Sequence, residues 1–356
     1  MSRTPLRVAV LGAGTVGREV VRALIERPTE LTPADGAPLE LVGVAVRNLA
    51  RARDGGIPSA FLTDAPAHLV AADDTDVIVE LMGGDEPAHT LITAALATGK
   101  AVVTANKHVI AHHGEALEAV ARRTGAALRF EAAVGGGIPV LGPLAGELAG
   151  NRVSLVRGIV NGTTNYILSA MTDEGRDYAD VLAAAQSAGY AEADPSGDVE
   201  GHDAANKLVI LARLAFGVWL DPAEVALRDA EGPGHGRPGI TGVTAADIAA
   251  ATAAGQTIKL VAEARRGPDG RVTARVVPLA LPDDSALART GGVLNRIEIE
   301  AEPIGSVAFS GPGAGGGATS SAVLGDLIAV ARRAGSTWAG LAPAAGVAAA
   351  TGPGGR

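Results

Sequence analysis

The sequence has no cysteine, few aromatic residues (four Phe, three Tyr and two Trp) and no cluster of lysines and arginines. Without cysteine the chain forms no disulfide, holds no cysteine-ligated zinc or iron–sulfur centre and has no thiolate nucleophile. Its 30 lysines and arginines are outnumbered by 39 aspartates and glutamates, so the formal net charge is −9. An acidic chain with few rings for base stacking is not expected to bind nucleic acid.

Long apolar runs are missing as well. The chain passes from Met1 into a short apolar stretch, Leu6–Leu11, without the longer segment typical of a cleaved leader. Nowhere is an uncharged stretch long enough to predict a membrane span. We therefore expect a soluble protein, and the lack of cysteine is compatible with a reducing compartment such as the cytoplasm.

What the chain does have is aliphatic and glycine-rich material. Its 356 residues suit two domains, and hydrophobic residues make up 47% of them. With 48 glycines and so few rings, the cores must be built from Val, Leu, Ile and Ala. That composition is typical of proteins in which buried parallel strands alternate with helices.

The first 133 residues alternate strand-like and helix-like segments. Apolar residues at helical spacing predict helices at Thr15–Glu26 and Pro87–Thr98. Short apolar runs predict strands at Leu6–Leu11, Leu39–Val46, Val77–Met82, Ala101–Ala105 and Leu128–Ala132. This series predicts a Rossmann-type α/β domain with a parallel sheet and helices on both faces.

The pattern changes after residue 133. Two longer helices are predicted near Thr164–Asp173 and His202–Phe216, and Asp221–Gly242 has the Gly, Pro and His content of a loop. Alternating apolar residues at Val272–Leu281 and Arg296–Glu302 indicate antiparallel strands. The second domain is therefore predicted to be α+β with a mostly antiparallel sheet.

A dinucleotide-binding turn is predicted directly after the first strand. Its glycines fit the spacing G-x-G-x-x-G, and the pattern gains meaning because it follows a buried strand and opens a helix. The first glycine permits the tight turn, the second lets a pyrophosphate approach the backbone, and the third lets helix and strand pack closely. The helix N-terminus adds amide donors and a positive dipole. The alternative is a turn without ligand, and the predicted binding residues are Gly12, Ala13, Gly14, Thr15, Val16 and Gly17.

The end of the second strand decides which dinucleotide is preferred. NAD enzymes usually place an acidic residue there for the ribose hydroxyls. This chain has Val46-Arg47-Asn48, with Arg51 and Arg53 close behind. An arginine such as Arg47 suits a 2′-phosphate and favours NADP, while solvated arginines and the use of NAD remain alternatives.

The segment Gly189–Lys207 is dense in acidic residues and then enters a helix. Asp203 and Lys207 are four residues apart and share a helix face, and Asp198 precedes the helix. A lysine held among carboxylates can pass a proton to a carbonyl oxygen while hydride arrives at carbon. Spacing alone favours the simpler interpretation, an ordinary surface ion pair worth a few tenths of a kcal/mol.

Five stretches together resemble homoserine dehydrogenases, over about residues 6 to 333. They are Val10–Gly17, Thr104–Lys107, Glu131–Pro139, Gly158–Ile167 and Gly189–Lys207. The resemblance implies NAD(P)-dependent interconversion of L-aspartate 4-semialdehyde and L-homoserine, in the biosynthesis of threonine, methionine and isoleucine. It also implies a homodimer assembled through the sheet of the second domain.

The resemblance further implies roles for three catalytic residues. Lys207 is expected to donate the proton to the aldehyde oxygen, or to accept it in the reverse direction. Asp203 is expected to orient Lys207. Asp198 is expected to hydrogen-bond both the reacting oxygen and the lysine.

Four more residues are expected at the substrate by the same resemblance. Glu192 is expected to bind the ammonium group, and Thr163 lies in the stretch that meets the carboxylate. Lys107 matches a lysine at the junction of cofactor and substrate. Tyr190 is the fourth predicted substrate-binding residue.

The Glu131–Pro139 loop is similar to the monovalent cation site of this family, for which sodium is the precedent. The expected ligands are a side-chain or carbonyl oxygen of Glu131 and the carbonyl oxygens of Val134, Gly136 and Ile138. Oxygen ligands on a turning, glycine-rich backbone suit a hard cation. An empty structural turn explains the same residues equally well.

A second glycine cluster, Gly311–Gly317, resembles the family's late loop that returns to the cofactor domain, followed by an apolar helix through Ser321–Arg333. Gly313, and Gly83 at the end of an earlier strand, are predicted to contact the cofactor. The implied dinucleotide-binding domain comprises residues 1–133 and 311–340. Residues 134–310 are the implied substrate-binding and dimerisation domain, and residues 341–356 are predicted to be a disordered tail.

Several observations limit this interpretation. Arg237–Ile240 lacks an acidic residue that is common there in the family, and Ala318 replaces a common proline, but neither touches the expected chemistry. The chain after residue 333 is too short for the regulatory ACT domain of many members, and no kinase is expected before it. The rival functions are a related dehydrogenase for another amino acid aldehyde or keto acid, and a non-catalytic NAD(P)-binding sensor or scaffold.

Three neighbouring histidines raise the question of a metal. His108 and His112 are four residues apart, with His113 adjacent, and on a helix this spacing can hold zinc. No acidic or cysteine third ligand lies nearby in the sequence. Exposed histidines in the first turns of a helix are the favoured interpretation.

Overall fold

The computed structural model describes residues 4–344. They form two compact units, one made of the residues up to Glu147 together with those from Ala314 onward, and the other of Leu148–Gly313. Both divisions lie later in the chain than the predicted boundaries at 133 and 310. Residues 341–344 of the predicted disordered tail are ordered, since Leu341 is hydrogen-bonded and Ala344 is buried. From position 345 onward the predicted tail lies outside the described residues.

The first unit contains a six-stranded parallel sheet. Its strands are β1 (Leu6–Leu11), β2 (Leu39–Ala45), β3 (Leu62–Thr63), β4 (Val77–Glu80), β5 (Ala101–Thr104) and β6 (Leu128–Arg129). They are arranged in the order β3-β2-β1-β4-β5-β6. In the middle, β1 is fully buried from Val8 to Leu11, which explains its uninterrupted aliphatic sequence. The predicted Rossmann-like sheet is confirmed.

Helices connect the strands of the first unit. They are α1 (Thr15–Glu26), α2 (Leu49–Asp54), α3 (Pro66–Ala71), α4 (Ala88–Ala97), α5 (Lys107–Thr124) and α6 (Leu141–Ala145). The bounds of α1 agree with its predicted bounds, since Val20, Val21 and Leu24 lie at helical spacing and are buried. The predicted strand Leu128–Ala132 is shorter in the structure, because a 3-10 turn begins at Glu131.

The second unit contains a five-stranded antiparallel sheet. Its strands are β7 (Arg152–Ile159), β8 (Gln256–Arg266), β9 (Val272–Pro282), β10 (Leu294–Glu302) and β11 (Gly305–Pro312). Their order is β11-β10-β7-β8-β9. The predicted antiparallel character is confirmed. Strand β8 escaped prediction because Ile258–Ala262 is buried without interruption, so the strand lacks the two-residue alternation of a half-buried strand.

Five helices belong to the second unit: α7 (Gly162–Glu174), α8 (Tyr178–Ser187), α9 (Ser196–Val199), α10 (His202–Phe216) and α11 (Ala245–Ala253). Helix α10 has the predicted bounds, and α7 is longer than predicted at both ends. Asp221–Gly242 is largely irregular, with one 3-10 turn at Pro222–Glu224, as its composition indicates.

The chain ends its described part with α12 (Gly316–Ala331) in the first unit. This helix begins inside the glycine cluster, earlier than predicted. Its apolar residues Val323 and Leu327 join the core that contains Val20 and Leu24 of α1. Over residues 4–344, no helix is both long and apolar enough to cross a membrane.

Candidate active site

The glycine turn between β1 and α1 requires glycine for different reasons at its first and third glycine positions. Gly12 has a φ of +100°, and a Cβ there would lie 2.6 Å from the carbonyl oxygen of Leu81. A Cβ on Gly17 would lie 2.1 Å from the carbonyl oxygen of Gly12, so only glycine lets α1 approach the strand this closely. Around Gly14, by contrast, no atom of the described chain lies within 4 Å of a Cβ position. The turn is thus closed at its ends and open in its middle.

The N-terminus of α1 is suited to an anion. Gly14 is the N-cap residue, so no side chain caps the helix, and its first turn contains no acidic residue. The first amides of a helix have no partner within the helix and attract negative charge. Thr15 and Val16 are therefore placed as the sequence predicts for binding a diphosphate.

A buried carboxylate that the sequence analysis missed shapes the loop after β4. Glu80 is fully buried, and its Oε1 accepts hydrogen bonds from the amides of Met82 (2.7 Å) and Gly83 (3.2 Å). Its Oε2 accepts one from the Thr104 hydroxyl at 2.6 Å. Gly83 and Gly84 both have positive φ, 71° and 75°, so this loop turns back sharply at the end of the strand. The only signal in the sequence was an acid closing the apolar strand.

The same network extends to the start of α5. The Thr104 hydroxyl accepts a hydrogen bond from the amide of Asn106, and Asn106 Nδ2 donates to the carbonyl oxygen of Gly84 at 2.8 Å. Asn106 Oδ1 also caps α5 by accepting from the amide of Val109. Lys107, half-buried, is the first residue of that helix. Gly83 and Lys107, predicted separately, are therefore held by one set of hydrogen bonds.

At the end of β2, Arg47 is exposed. The next residue, Asn48, caps α2 by accepting a hydrogen bond from the amide of Arg51 at 2.9 Å. The cap fixes where the chain turns after β2, and Arg47 is the residue just before that turn. Its cationic side chain is thus available at the position where an acid usually marks NAD enzymes.

In the second unit, Lys207 lies on α10 and is only 9% exposed. Its Nζ donates to Asp203 Oδ2 and to the carbonyl oxygen of Val160, both at 2.7 Å. The surface ion pair that spacing alone favoured is therefore incorrect, because the lysine is buried and held from two sides. Val160 directly follows β7, so the end of a strand and a helix face together fix the ammonium group.

Asp198 joins this cluster through Asn161. Asn161 Nδ2 donates to Asp198 Oδ1 at 2.7 Å and to Asp203 Oδ2 at 2.9 Å. The structure has this indirect connection in place of the expected direct hydrogen bond from Lys207 to Asp198. The sequence analysis gives Asn161 no separate role, although an asparagine between a strand and a helix is a common N-cap signal.

Three of the four predicted substrate-binding residues, Thr163, Tyr190 and Glu192, lie near the start of α7 and before α9, whereas Lys107 begins α5. The Thr163 hydroxyl donates to the carbonyl oxygen of Tyr190 at 3.1 Å. Tyr190 is half-exposed, and its ring lies 4.6 Å from that of Tyr166. Glu192 is exposed, and its carbonyl oxygen accepts a hydrogen bond from Gln186 at 3.0 Å. The structure thus connects Thr163 with Tyr190 and leaves the Glu192 side chain at the surface.

Gly313, the last residue of the second unit, lies directly against the side chain of Asn295. A Cβ there would fall 1.2 Å from Asn295 Oδ1. Asn295 Nδ2 donates to the carbonyl oxygen of Ile159 at 3.0 Å, one residue before Val160. The late glycine loop is therefore tied to the strand end that holds Lys207.

In the predicted cation loop, the Glu131 carboxylate accepts hydrogen bonds from backbone amides. Its two oxygens accept hydrogen bonds from the amides of Val140 (2.8 Å), Leu141 (2.8 Å) and Gly142 (2.7 Å) at the start of α6. Burial, and secondly the nearby Asp326, raise the pKa of Glu131. These bonds join the start of α6 to the turn at Glu131 inside the first unit, which extends beyond residue 133.

Three carbonyl oxygens of that loop differ from the Glu131 carboxylate in their hydrogen bonding. Gly135 and Gly136 have φ of 71° and 58°, which turns the backbone between Val134 and Ile138. Val134, Gly136 and Ile138 are buried, and within residues 4–344 their carbonyl oxygens accept no hydrogen bond. Buried carbonyls without a donor are unusual in proteins and suit a hard cation.

The histidines form a surface cluster around Asp85. His113 Nε2 lies 2.8 Å from Asp85 Oδ1, and His113 stacks on His89 with ring centroids 3.8 Å apart. The rings of His108 and His112 lie 4.3 Å apart, and burial lowers the pKa of His108. Across the described chain, no three His, Cys, Asp or Glu side chains converge in a way that could hold a metal ion.

A parallel sheet with an open glycine turn, and a buried lysine held by an aspartate, are features of dinucleotide-dependent oxidoreductases. Comparison with known proteins makes this specific. The family model for homoserine dehydrogenase matches residues 139–328, and the model for the NAD-binding domain of homoserine dehydrogenase matches residues 12–131. The chain belongs to the homoserine dehydrogenase family, which consists of oxidoreductases acting on a CH–OH group.

Individual relatives agree with this assignment. The chain is 47% identical over 329 residues to a homoserine dehydrogenase of Corynebacterium glutamicum, covering 91% of this chain and 72% of that protein. It is 48% identical over 332 residues to that of Mycobacterium tuberculosis strain H37Rv, covering 92% and 73%. Among solved structures, a homoserine dehydrogenase from Thiobacillus denitrificans superposes with a TM-score of 0.88 at 38% identity, covering 97% of this chain and 80% of that one.

One further structure concerns the cofactor. A hyperthermophilic archaeal homoserine dehydrogenase, solved in complex with NADPH, superposes with a TM-score of 0.75 at 28% identity. It covers 92% of this chain and 97% of that one.

Proposed function

We propose that this homoserine dehydrogenase interconverts L-aspartate 4-semialdehyde and L-homoserine with Lys207 as the general acid and base. The observation that carries the proposal is the geometry of the ammonium group. An ammonium has three hydrogens, and two of them are directed at Val160 and Asp203. The third N–H then has a defined direction and can serve the substrate oxygen.

The proposed path of the proton follows from this arrangement. In homoserine oxidation, the neutral lysine accepts the hydroxyl proton as hydride leaves C4; in aldehyde reduction, the ammonium returns it to the oxygen. When bound, the nicotinamide supplies or accepts the hydride. Asp203 keeps Lys207 in place, and Asp198 is proposed to hydrogen-bond the reacting oxygen.

The rest of the substrate requires an anion for its ammonium group and donors for its carboxylate. We assign the first to Glu192 and the second to Thr163, with Tyr190 beside it. Lys107 is assigned to the junction between substrate and cofactor. The exposure of Glu192 and Tyr190 supports these assignments, since a residue that receives a substrate must be reachable.

We assign the cofactor site to the Gly12–Gly17 turn together with Gly83, Lys107 and Gly313, and we propose NADP as the preferred cofactor. The exposed cation of Arg47 at the end of β2 supports this preference, and so does the archaeal relative bound to NADPH. A guanidinium binds a phosphate by two parallel hydrogen bonds. NAD, which lacks that phosphate, is expected to bind more weakly.

A monovalent cation, with sodium as first choice, is proposed on the carbonyl oxygens of Val134, Gly136 and Ile138, joined by that of Glu131. The fit rests on the buried carbonyls without a donor, whereas the Glu131 carboxylate is occupied by backbone amides. Replacing sodium with tetramethylammonium at constant ionic strength should lower Tm. An unchanged Tm would argue for a purely structural turn.

Two further features belong to the proposal. A homodimer formed through the sheet of the second unit and a cytoplasmic location are expected, with neither nucleic acid nor membrane as partner. The reaction would serve threonine, methionine and isoleucine biosynthesis. Sedimentation of the purified chain tests the dimer directly.

The assay that tests the function follows nicotinamide absorbance with L-homoserine and NADP, then NAD. We expect reduction of NADP, and slower reduction of NAD. Folded protein that binds NADPH but reduces neither cofactor would support a non-catalytic sensor instead. Faster turnover with another hydroxy amino acid would support a related dehydrogenase.

A further inference from the structure

Asn161 lies at the centre of the charged cluster, although no role has been assigned to it above. Its amide group links two carboxylates: Nδ2 donates to both Asp198 and Asp203, and Asp203 accepts from Lys207. We propose that Asn161 is a positioning residue that joins Asp198 to the Asp203–Lys207 pair and fixes their orientation for proton transfer. The proposal rests on the role of Lys207 given under the proposed function.

The orientation of the Asn161 amide is fixed by the start of α7. Its Oδ1 accepts hydrogen bonds from the amide of Thr164 at 2.8 Å and from the Thr164 hydroxyl at 3.0 Å. Exchanging oxygen and nitrogen would place the N–H group toward the Thr164 amide and the oxygen toward two carboxylates, which breaks every one of these bonds. Helix capping therefore forces the two N–H donors toward Asp198 and Asp203.

The burial of Asn161 makes its hydrogen bonds to the two carboxylates difficult to replace. Asn161 is 5% exposed, so water does not readily replace its amide as a donor to the carboxylates. Two carboxylates that converge on one point repel each other. A neutral group that donates one hydrogen bond to each offsets the repulsion without adding a charge, while Lys207 pairs with Asp203.

Two substitutions separate this role from helix capping, because Ser and Asp are both good N-cap residues. Asn161→Ser keeps an acceptor for the Thr164 amide and removes both donors. Asn161→Asp also keeps the cap, but it places a third carboxylate beside Asp198 and Asp203. The start of α7 should therefore survive in both variants while the link is lost.

The experiment measures homoserine oxidation by the wild type and both variants between about pH 6 and pH 10, with Tm recorded for each. We expect Asn161→Ser to lower kcat at least about tenfold and to change the KM for homoserine less than about threefold. In Asn161→Asp, the added negative charge favours the protonated lysine, whereas oxidation needs the neutral one. The rise of kcat with pH should therefore move to higher pH.

The proposal is overturned if kcat of Asn161→Ser stays within about twofold of wild type, or if the pH profile of Asn161→Asp is not displaced. The Asp variant provides the test on its own if the Ser variant does not fold. Thr244→Ala is the matched control: it removes the N-cap of α11 in the same unit and should lower Tm without changing kcat.

The Lys207→Ala variant distinguishes a failure of the proposed role of Lys207 from a failure of the proposed role of Asn161. If Lys207→Ala retains turnover, the acid/base role of Lys207 is wrong, and the role of Asn161 fails with it. If Lys207→Ala loses turnover while Asn161→Ser does not, only the positioning role of Asn161 is wrong. Loss of turnover in both, with the displaced pH profile of Asn161→Asp, supports both.

Discussion

Asp203 Oδ2 lies 2.7 Å from Lys207 Nζ, one helical turn away on α10. Pairs at this spacing are common on helix surfaces, where they contribute little. Here the lysine is 9% exposed, and the carbonyl oxygen of Val160 holds it from the other side. Burial and this second contact fix the position of the ammonium group, as the proposed role of Lys207 in proton transfer requires.

Lys207→Ala should reduce kcat by on the order of 10²–10⁴-fold, the usual contribution of a general acid or base. The Kd for NADPH, measured by fluorescence, should stay within about threefold, because Lys207 and the glycine turn belong to different units. Lys207→Met controls for the lost side-chain volume and should behave like the Ala variant. A kcat within a fewfold of wild type would show that the proton comes from another group.

Arg47→Ser should weaken the use of NADP and leave that of NAD nearly unchanged. A charge-assisted hydrogen bond is worth about 1.5–3 kcal/mol, so the KM for NADP should rise by roughly 10- to 100-fold. The measurement compares kcat and KM for both cofactors at fixed homoserine. Arg53→Ser, on α2, is the control. Equal losses for NADP and NAD in Arg47→Ser would mean that this arginine does not distinguish them.

Glu80→Gln should damage cofactor binding as well as stability. An amide N–H turned toward the backbone amides of Met82 and Gly83 would set donor against donor, and one turned toward Thr104 would take away the acceptor of its hydroxyl proton. Either arrangement leaves a buried donor without its acceptor, at a cost of about 1–3 kcal/mol. We expect a lower Tm and a higher KM for the cofactor, since Gly83 would lose its anchor. Both quantities are measured on the same preparations.

The control for Glu80 is Glu118→Gln. Glu118 is also fully buried, on α5, but its partner is Arg122 at 2.8 Å. This variant should lower Tm and leave the cofactor KM unchanged. If Glu80→Gln affects only Tm, the Glu80 network supports the fold without shaping the cofactor loop.

Lys259 gives a prediction on pH and stability. Burial lowers its pKa from 10.5 to about 8, and its Nζ donates to three neutral oxygens, on Asn165, Ser169 and Thr290. Between about pH 8 and pH 10.5 the unfolded chain binds this proton more tightly than the folded one. The contribution of Lys259 to stability should therefore rise with pH across that window, by at most about 1.4 kcal/mol per pH unit.

The measurement compares urea unfolding of the wild type and of Lys259→Met at pH 7, 8, 9 and 10. Methionine has similar size and no charge, so the difference between the two proteins isolates this group from the other titrations. Above about pH 8, the free energy of unfolding of the wild type should increase relative to that of the variant. A difference that does not change with pH would contradict the lowered pKa.

Much of the first unit was predictable from local pattern. The run Leu6–Leu11 and the glycines at 12, 14 and 17 predict a strand, a turn and a helix, because each depends on neighbouring residues and on the backbone freedom of glycine. The structure keeps these elements. Strands β7, β8 and β11 were not predicted: burial without interruption removes the alternation of β8, whereas β11 and the first half of β7 do alternate and were missed.

The candidate site also has a part that the sequence predicts and a part that only the tertiary structure decides. By itself, the sequence predicted which residues carry chemistry, Lys207, Asp198, Asp203 and the glycine turn, because the motifs around them resemble those of homoserine dehydrogenases. The tertiary structure decided how they are connected. Asn161 meets carboxylates 37 and 42 residues away, and Glu80 meets a hydroxyl 24 residues away. Such contacts depend on strand order and helix packing, which no local pattern encodes. The same packing buries Lys207, a lysine that spacing alone assigns to the surface.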